Sequence, residues 1–160
     1  MGGPPAEVRP LDVRDPGVAA ELLPLQRRSY RVEAKLIGSD AIPPLHESLA
    51  ELMACGERFL GAFDSDRLVG AVGYRVDDDV LDIHRLVVDP DEFRRGIGRA
   101  LVRAVQELES GRSRVIVQTG AANGPASALY LQEGFTALDV FEPLPGLAIA
   151  RFEKRPAQRG

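Results

Sequence analysis

The feature that most constrains the fold of this chain is a segment in which an apolar strand passes through an acidic turn into a glycine-containing loop and a helix. Residues 86–101 read Leu-Val-Val-Asp-Pro-Asp-Glu-Phe-Arg-Arg-Gly-Ile-Gly-Arg-Ala-Leu. The strand is predicted to end at Val88, and Gly96 and Gly98 lie where the helix begins. Backbone N–H groups at a helix start have no intrahelical acceptor and lie at the positive end of the helix dipole. The segment is therefore typical of a site for a pyrophosphate or another small polyanion.

Two well-known phosphate-binding loops do not fit these residues. The P-loop of nucleoside triphosphatases needs Gly-Lys-Ser/Thr, but Gly98 is followed by Arg99 and Ala100. A dinucleotide-binding fingerprint needs glycine or alanine at position 101, which is Leu101. Nucleoside triphosphates and nicotinamide cofactors are therefore disfavoured.

A second motif follows in residues 123–135, which read Asn-Gly-Pro-Ala-Ser-Ala-Leu-Tyr-Leu-Gln-Glu-Gly-Phe. Asn123 is predicted to cap a helix, Pro125 lies in its first turn, and Gly134 ends it in a left-handed conformation. By itself this motif indicates only a well-capped amphipathic helix.

Together, in this order and spacing, the two motifs resemble those of the GNAT N-acetyltransferase superfamily. Residues 93–98 resemble its acyl-CoA-binding motif, Gln/Arg-x-x-Gly-x-Gly/Ala, and residues 123–135 resemble its pattern Asn-x-x-Ala-x-x-Leu-Tyr-x-x-x-Gly-Phe. The specific resemblance covers about residues 80–135. Phe93 departs from the family motif, which places Gln or Arg at this position.

Hydrophobic periodicity and turn residues give the element order β-α-α-β-β-β-α-β-α-β-β, for which composition alone indicates only the α/β class. The resemblance implies the GNAT fold: a mixed, mostly antiparallel, twisted sheet of about seven strands with helices on both faces. In that fold the fourth and fifth strands splay apart to admit a thioester. The chain of 160 residues is expected to form a single domain over residues 1–160, with residues 1–5 and 155–160 as flexible ends.

The element boundaries follow from the same patterns. Strands are predicted over residues 8–13, 58–63, 68–76, 80–88, 115–119, 137–141 and 147–152. A first helix is predicted to follow Asp15, with Pro24 interrupting or restarting it, and a second to begin at Pro43. Further helices are predicted after Gly96 and Asn123.

The resemblance implies acetyl-CoA as the acyl-donor cosubstrate and no metal. Arg94, Arg95 or Arg99 would supply the positive charge that Phe93 lacks. The predicted contacts are the end of the fourth strand and the two helix starts, namely Leu86, Val87, Val88, Arg94, Arg95, Gly96, Ile97, Gly98, Arg99, Ala100, Asn123 and Ala126.

Tyr130 matches the general acid of the family, which would protonate the departing CoA thiolate. The alternative is a half-buried tyrosine that only packs on Leu129 and Phe135. The thioester oxygen would be met by a backbone N–H between Leu86 and Val88.

The candidate bases lie on the fourth strand. A period of two places Asp82, His84, Leu86 and Val88 on one face. Asp82 matches the position at which some family members carry a glutamate base, and His84 titrates near neutrality without any shift. A water chain as the base, and a purely structural role for both residues, remain open.

The resemblance implies transfer of an acetyl group to a primary amine of a small molecule or peptide, by direct attack in a ternary complex. The acceptor would bind between the first two helices and the surrounding loops, where Tyr30, Glu33, Ile42 and His46 are candidates. The alternatives are a non-catalytic acyl-CoA sensor and a transferase for a longer acyl-CoA. A homodimer formed through the C-terminal strands is also implied.

Composition bounds the other partners. The net charge of −4 disfavours nucleic acid, and the absence of a signal peptide or a membrane-length apolar run leads us to expect a cytoplasmic protein without a membrane partner. The single cysteine, Cys55, is expected to be a packing residue rather than a nucleophile. Two histidines without a Cys/His cluster give no support for a zinc site.

Overall fold

The computed structural model describes residues 6–156 and, within them, seven β-strands and four α-helices. The strands are β1 (Glu7–Leu11), β2 (Arg58–Asp64), β3 (Arg67–Asp77), β4 (Val80–Val88), β5 (Arg114–Gly120), β6 (Thr136–Leu144) and β7 (Leu147–Lys154). The helices are α1 (Pro16–Ile37), α2 (Leu49–Met53), α3 (Ile97–Leu108) and α4 (Gly124–Gln132), and short 3-10 helices cover Pro43–His46 and Pro90–Glu92. Most of the predicted flexible ends, residues 1–5 and 157–160, lie outside the described range.

The strands form one sheet in the order β1-β2-β3-β4-β5-β7-β6. All neighbouring strands are antiparallel except β4 and β5, which are parallel. This arrangement confirms the mixed, mostly antiparallel sheet predicted from the sequence.

Helices cover both faces of the sheet and create two apolar cores. On one face, α3 buries Ile97, Leu101, Val102 and Val105 against the sheet, and Tyr130 of α4 joins the same core. On the other face, α1 buries a row of leucines and Leu52 of α2 packs beside them. The predicted helices on both faces are therefore confirmed.

The first helix is longer than predicted because Pro24 does not interrupt it. Asp15 caps α1 by accepting a hydrogen bond from the Gly17 N–H, and Gly38, with φ of 70°, ends it in the left-handed conformation. Pro24 lies within the helix and its side chain is exposed. A proline removes one N–H donor, and on the solvent face water can satisfy the carbonyl that loses its partner.

The second helix does not begin at Pro43, so that prediction was wrong. Residues 43–46 form a 3-10 turn, and α2 begins only after Ser48. Ser48 and Glu51 form a reciprocal capping box, in which each side chain accepts a hydrogen bond from the other's backbone N–H. The cap at Ser48 defines the start of the α-helix, and the two prolines tighten the preceding turn.

The parallel strands β4 and β5 pair only along their first halves. Val80–Ile83 pairs with Arg114–Val117, and no β5 residue pairs with the rest of β4. A gap therefore opens between the ends of the two strands, next to the start of α3.

No helix within residues 6–156 is both long enough and apolar enough to cross a membrane.

Candidate active site

The start of α3 has no side-chain cap, whereas Asp15, Ser48 and Asn123 cap the other three α-helices of the described chain. Gly96 precedes α3 with φ of 75°, and its carbonyl accepts the first hydrogen bond from the Ala100 N–H. The helix geometry leaves the N–H groups of the first turn without an intrahelical acceptor. These groups are therefore available to an anion.

A cleft of about 660 Å³ lies in front of this helix start. It runs from the loop before α3, past the end of β4, to the start of α4 and is bordered on its other side by α1. We call it the donor cleft. Of the predicted cofactor contacts it is lined by Leu86, Val88, Arg94, Gly96, Ile97, Gly98, Arg99, Asn123 and Ala126.

Three predicted contacts do not line the donor cleft. Val87 is buried in the core under α1, because its side chain points to the opposite face from its neighbours on β4. Arg95 pairs instead with Glu92 and Asp64. Ala100 lies one turn into α3, where its N–H is already bonded to Gly96.

Several residues that line the donor cleft were not predicted from the sequence. Phe93, which departs from the family motif, lines the cleft with 45% of its surface exposed. The other missed residues come mainly from α1 and α4, and they are Ser29, Val32, Leu36, Glu92, Pro125, Ala128, Leu129 and Gln132. Pro125 and Leu129 lie in the motif of residues 123–135, but no local signal marks the residues of α1, which reach the cleft only through packing of that helix.

A second cavity of about 240 Å³, which we call the acceptor cavity, lies on the other side of the strand gap. Four residues line both spaces, namely Glu33, Leu86, Asn123 and Ala126. The donor cleft and the acceptor cavity therefore meet at the gap between β4 and β5.

The acceptor cavity brings together several predicted residues. Tyr30, Glu33, Ile42, His84 and Tyr130 line it. Its further lining residues were missed, because they come from five parts of the chain that meet only in the folded protein: the end of α1, the 3-10 turn with the loop before it, β4, the end of β5 and the start of β7. They are Ile37, Ala41, Pro43, Pro44, Arg85, Gln118, Thr119, Gly120, Leu147 and Ile149.

His46, in contrast, does not line the acceptor cavity. Its Nε2 atom lies 2.7 Å from the carbonyl oxygen of Asp40, on the exposed side of the 3-10 turn. That turn replaces the predicted helix, so the spacing of residues 42–46 no longer follows a helical face.

A β-bulge in β4 changes which residues share a face. Gly73 of β3 pairs with Arg85, but the next residue, Tyr74, pairs with Ile83, so His84 is an extra residue on β4. An extra residue shifts the alternation of side chains beyond it.

The prediction that Asp82 shares a face with Leu86 and Val88 is therefore wrong. Leu86 and Val88 pack against the same core as Ile83, under α3. Asp82, next to Ile83 in the strand, points to the opposite face. Asp82 does not line the acceptor cavity, but its Oδ2 atom lies 3.1 Å from the Nε2 atom of His84.

His84 is held between two carboxylates. In addition to the contact with Asp82, its Nδ1 atom lies 3.9 Å from the Oε2 atom of Glu57. The hydrogen bond to Asp82 raises the pKa of His84 above 6.5, against the opposing effect of partial burial. Charge attraction to Asp82 and Glu57 raises the pKa further, while Arg75 lowers it.

The two tyrosines of the acceptor cavity are both buried, at 7% exposure for Tyr30 and 3% for Tyr130. Burial raises the pKa of each phenol, and the negative charge of Glu33 adds to both shifts. Tyr130 also packs edge-on against Phe135, with ring centroids 5.6 Å apart. Both phenols are therefore held in the protonated form, in which they can donate a proton.

Arg85 lies behind the acceptor cavity with all five of its N–H donors used. Its Nε and Nη2 atoms bond to Glu57 at 2.9 and 2.5 Å, and its Nη1 atom bonds to Glu47 and Gln26, each at 2.8 Å. Nη2 also contacts Glu47 at 3.4 Å. Desolvation lowers the pKa of Arg85, but the hydrogen bonds to Glu57 and Glu47 outweigh it and the net shift is upward.

Two backbone N–H groups near the end of β4 point away from β3 and lie beyond the part of β4 that pairs with β5. Asp89 N–H bonds to Val69 of β3, so by alternation the N–H groups of Val88 and Leu86 point away from β3. Val88 N–H donates to the Ser29 hydroxyl at 3.2 Å. The Leu86 N–H lies beyond the paired part of β5 and is the remaining donor in the gap.

Within the part of the chain that the structure describes, no three or more His, Cys, Asp or Glu side chains are grouped so as to hold a metal ion.

The model of the acetyltransferase (GNAT) family matches residues 20–135. The chain is 36% identical over 149 residues to the UPF0157 protein YqkA of Bacillus subtilis, an alignment that covers 93% of this chain and 43% of YqkA. The chain therefore spans less than half the length of this relative. It is also 32% identical to the N-alpha-acetyltransferase RimI of Mycobacterium tuberculosis, covering 68% of this chain and 71% of RimI.

Among solved structures, the PaiA N-acetyltransferase of Thermoplasma acidophilum in complex with coenzyme A has the same fold. Its TM-score is 0.74 at 19% identity, and the alignment covers 98% of this chain and all of that one. The match to the family model spans both the loop before α3 and the start of α4. The chain belongs to the GNAT acetyltransferase family.

Proposed function

We propose that this protein transfers an acetyl group from acetyl-CoA to a primary amine, by direct attack within a ternary complex. The observation that carries the proposal is the uncapped start of α3, which faces a cleft leading into the gap between β4 and β5. A helix start of this kind binds anions, and the gap gives a narrow extended group access to the acceptor cavity.

The chain's contacts to the donor follow from this placement. The N–H groups of Ile97, Gly98 and Arg99 would bind the pyrophosphate of CoA, with Arg94 at the rim of the same cleft. That the structural neighbour from Thermoplasma acidophilum was solved with coenzyme A supports this assignment. Acetyl-CoA supplies the activated acetyl group as a thioester.

The Leu86 N–H would stabilise the thioester oxygen as negative charge develops on it. Preorganised backbone donors at such positions are a major source of rate enhancement in acyl transfer. Leu86 borders both the donor cleft and the acceptor cavity, so its N–H lies where the two reactants would meet.

A base is needed because an amine attacks only when it is neutral. For an amine with a pKa of ~10.4, removing the proton at pH 7 costs about 4.6 kcal/mol, against roughly 1 to 1.5 kcal/mol for an α-amine. His84 lines the acceptor cavity and would accept this proton, and Asp82 would hold the imidazole in place.

Tyr130 would act as the acid. Its phenol lies in the acceptor cavity at the end where α4 begins, and burial keeps it protonated. Donation of this proton to the departing sulfur completes the transfer: the carbon–nitrogen bond forms and the carbon–sulfur bond breaks. Of the two protons that an ammonium group loses, the first would pass through His84 to solvent before the attack. The second would leave the nitrogen as the intermediate collapses and restore the phenol of Tyr130. Cys55 lines neither space within the described residues, which supports direct attack rather than an acyl-enzyme.

Calorimetric titration with acetyl-CoA and CoA, followed by a thiol-release assay over a panel of amines, tests the proposal. Micromolar binding with release of CoA thiol on an amine supports it. Binding without release of CoA thiol would favour a sensor of acyl-CoA. Release only with longer acyl-CoA molecules would show that the donor is not acetyl-CoA. The absence of binding would refute the assignment of the donor cleft to CoA.

We also retain the proposal of a homodimer through the C-terminal strands. Strand β6 lies at the edge of the sheet and exposes Leu138, Val140 and Leu144. An edge strand with exposed apolar side chains can pair with a second copy. Light scattering during size-exclusion chromatography tests this, and a monomeric mass at micromolar concentration would contradict it.

A further inference from the structure

The acceptor cavity has an unusual charge distribution. Among the described residues, Arg85 is the only lysine or arginine that lines it. The guanidinium donates all five of its N–H bonds to Glu47, Glu57 and Gln26. Arg85 therefore has no donor left for a ligand, and two glutamates outweigh its single positive charge.

The remaining acidic groups around the cavity add to this excess. Glu33 lines the cavity and accepts hydrogen bonds from the Thr119 hydroxyl at 3.1 Å and the Gly120 N–H at 3.2 Å. Asp82 contacts His84 from behind the cavity wall. The imidazolium form of His84 is already held between Asp82 and Glu57. The field in the cavity therefore favours a cation, and a carboxylate entering it would be repelled and would find no free cationic partner.

The outer wall of the cavity is apolar and offers nothing to a second charge. It is formed by the end of α1, the 3-10 turn and the start of β7, with the residues Ile37, Ala41, Ile42, Pro43, Pro44, Leu147 and Ile149. A ligand whose ammonium group lies near His84 would place its other end against these side chains. An apolar body would gain free energy there, and a second ammonium group would lose its hydration.

The volume limits the size of the ligand. The cavity of about 240 Å³ is smaller than the roughly 300–1,000 Å³ of pockets that hold drug-sized molecules. It can enclose a compact molecule whole, whereas a peptide would place only its first residue inside.

From these observations we propose that the acceptor is a small monoamine with an apolar body and no carboxylate, such as an alkylamine or an arylalkylamine. This inference rests on the proposed acetyltransferase function and narrows its acceptor.

Matched acceptors that differ in one charged group test the inference. The thiol-release assay, at saturating acetyl-CoA, compares 2-phenylethylamine with phenylalanine and 3-methylbutylamine with leucine, pairs that differ only in the carboxylate. Pentylamine is compared with cadaverine, which adds a second amine, and an alanine-initiated tripeptide amide represents a peptide acceptor. We expect kcat/KM for each monoamine to exceed that of its charged counterpart by about tenfold or more.

Two other results would contradict the monoamine inference. Equal or better rates with the amino acids, cadaverine or the peptide amide would overturn the monoamine inference and leave the acetyltransferase function standing. Binding of CoA by calorimetry without thiol release on any acceptor would contradict both.

Glu47→Gln tests whether the buried charge network sets this preference. Glu47 lines neither cavity, and its replacement removes one negative charge and loosens two of the contacts of Arg85. The ratio of kcat/KM for 2-phenylethylamine over phenylalanine should fall by about threefold, mainly through a lower KM for phenylalanine.

The ratio is independent of the fraction of folded enzyme, since both substrates are measured on the same preparation. Glu107→Gln, on α3 at the opposite face of the sheet, is the control and should leave the ratio unchanged. An unchanged ratio in Glu47→Gln, or an equal fall in the control, would contradict the assignment.

Discussion

Arg85 occupies the space that the missing side chain of Gly73 leaves on the neighbouring strand. The two residues are paired across β3 and β4 at the bulge, and a Cβ atom on residue 73 would lie 2.8 Å from the Cγ atom of Arg85. The same Cβ atom would lie 2.7 Å from the Oε1 atom of Glu57. Gly73 therefore permits the buried ion pair next to the acceptor cavity.

Gly73→Ala should destabilise the protein by about 1–3 kcal/mol, because the stem of Arg85 is fixed by its hydrogen bonds and cannot move aside. Urea unfolding followed by circular dichroism measures the change. Gly124→Ala is the control, since a Cβ atom there meets nothing within 4 Å, and it should change the free energy of unfolding by less than about 0.5 kcal/mol. Equal free energies of unfolding for the two variants would contradict this prediction, because they would show that β3 and β4 can accommodate the added methyl group without loss of stability.

Gly96→Asp should weaken CoA binding by about 10- to 100-fold, because the new carboxylate repels the pyrophosphate at the start of α3. Gly111→Asp is the matched control at the other end of α3. Both glycines have positive φ, 75° and 90°, and at both a Cβ atom meets nothing within 4 Å. Calorimetric titration should give an affinity near wild type for Gly111→Asp.

Gly96→Asn separates the effect of charge from that of bulk at the same position, since asparagine tolerates positive φ and is neutral. Its affinity for CoA should lie between those of Gly96→Asp and the wild type. If Gly96→Asp and Gly111→Asp bind CoA equally well, the pyrophosphate does not lie at the start of α3.

Tyr130→Phe should lower kcat by about 10²–10⁴-fold with little change in CoA affinity, because the variant removes the proton donor but keeps the packing against Phe135. Tyr74→Phe serves as the control. Tyr74 is equally buried, at 3% exposure, and lines neither cavity. Steady-state kinetics with a saturating amine measures both, and an unaltered kcat in Tyr130→Phe would remove this residue as the acid.

The pH dependence of kcat/KM should report His84. A base must be unprotonated, and the hydrogen bond to Asp82 raises the pKa of His84, so activity should rise with pH through an apparent pKa above 6.5. Asp82→Asn should move this acidic limb to lower pH, and His84→Gln should abolish it. A limb that stays in place in Asp82→Asn would assign the titration to another group.

The raised pKa of His84 also affects the stability of the protein. The pKa of His84 is higher in the folded state than in the unfolded chain, so folding binds the proton more tightly. Protonated His84 therefore stabilises the folded protein. This stabilisation is fully present below about pH 6.5, and it is lost as the pH rises through the pKa that His84 has in the folded state. Urea unfolding between pH 5 and 9 should show a smaller loss in Asp82→Asn than in wild type, and equal losses would contradict the contact.

The sequence predicted the order of the elements and about half of the residues that line the donor cleft, because both depend on local patterns. Val80–Val88 was predicted with its observed bounds, since alternating apolar residues between turns define a strand. The two motifs carry their own backbone geometry: Gly96 provides the positive φ before α3, and Asn123 bonds to the Ala126 N–H at 3.2 Å.

The errors arose where a position depends on a partner strand or helix. The bulge at His84 is a property of the pairing between β3 and β4, and the sequence of β4 alone gives no sign of the extra residue. The face assigned to Asp82 was therefore wrong. Likewise the solvent exposure of Pro24, which allows α1 to continue, follows from how that helix packs on the sheet.

The sequence by itself determined the family and the uncapped, glycine-flanked start of α3, since glycines, caps and strand ends act over a few residues along the chain. Only the tertiary structure decided the acceptor cavity. Arg85 reaches Gln26 and Glu57, residues 59 and 28 positions away, and the two glutamates that pair with it lie outside any local motif. Electrostatic fields and cavities depend on which side chains meet in space, and packing of α1 and the 3-10 turn on the sheet brings these residues together.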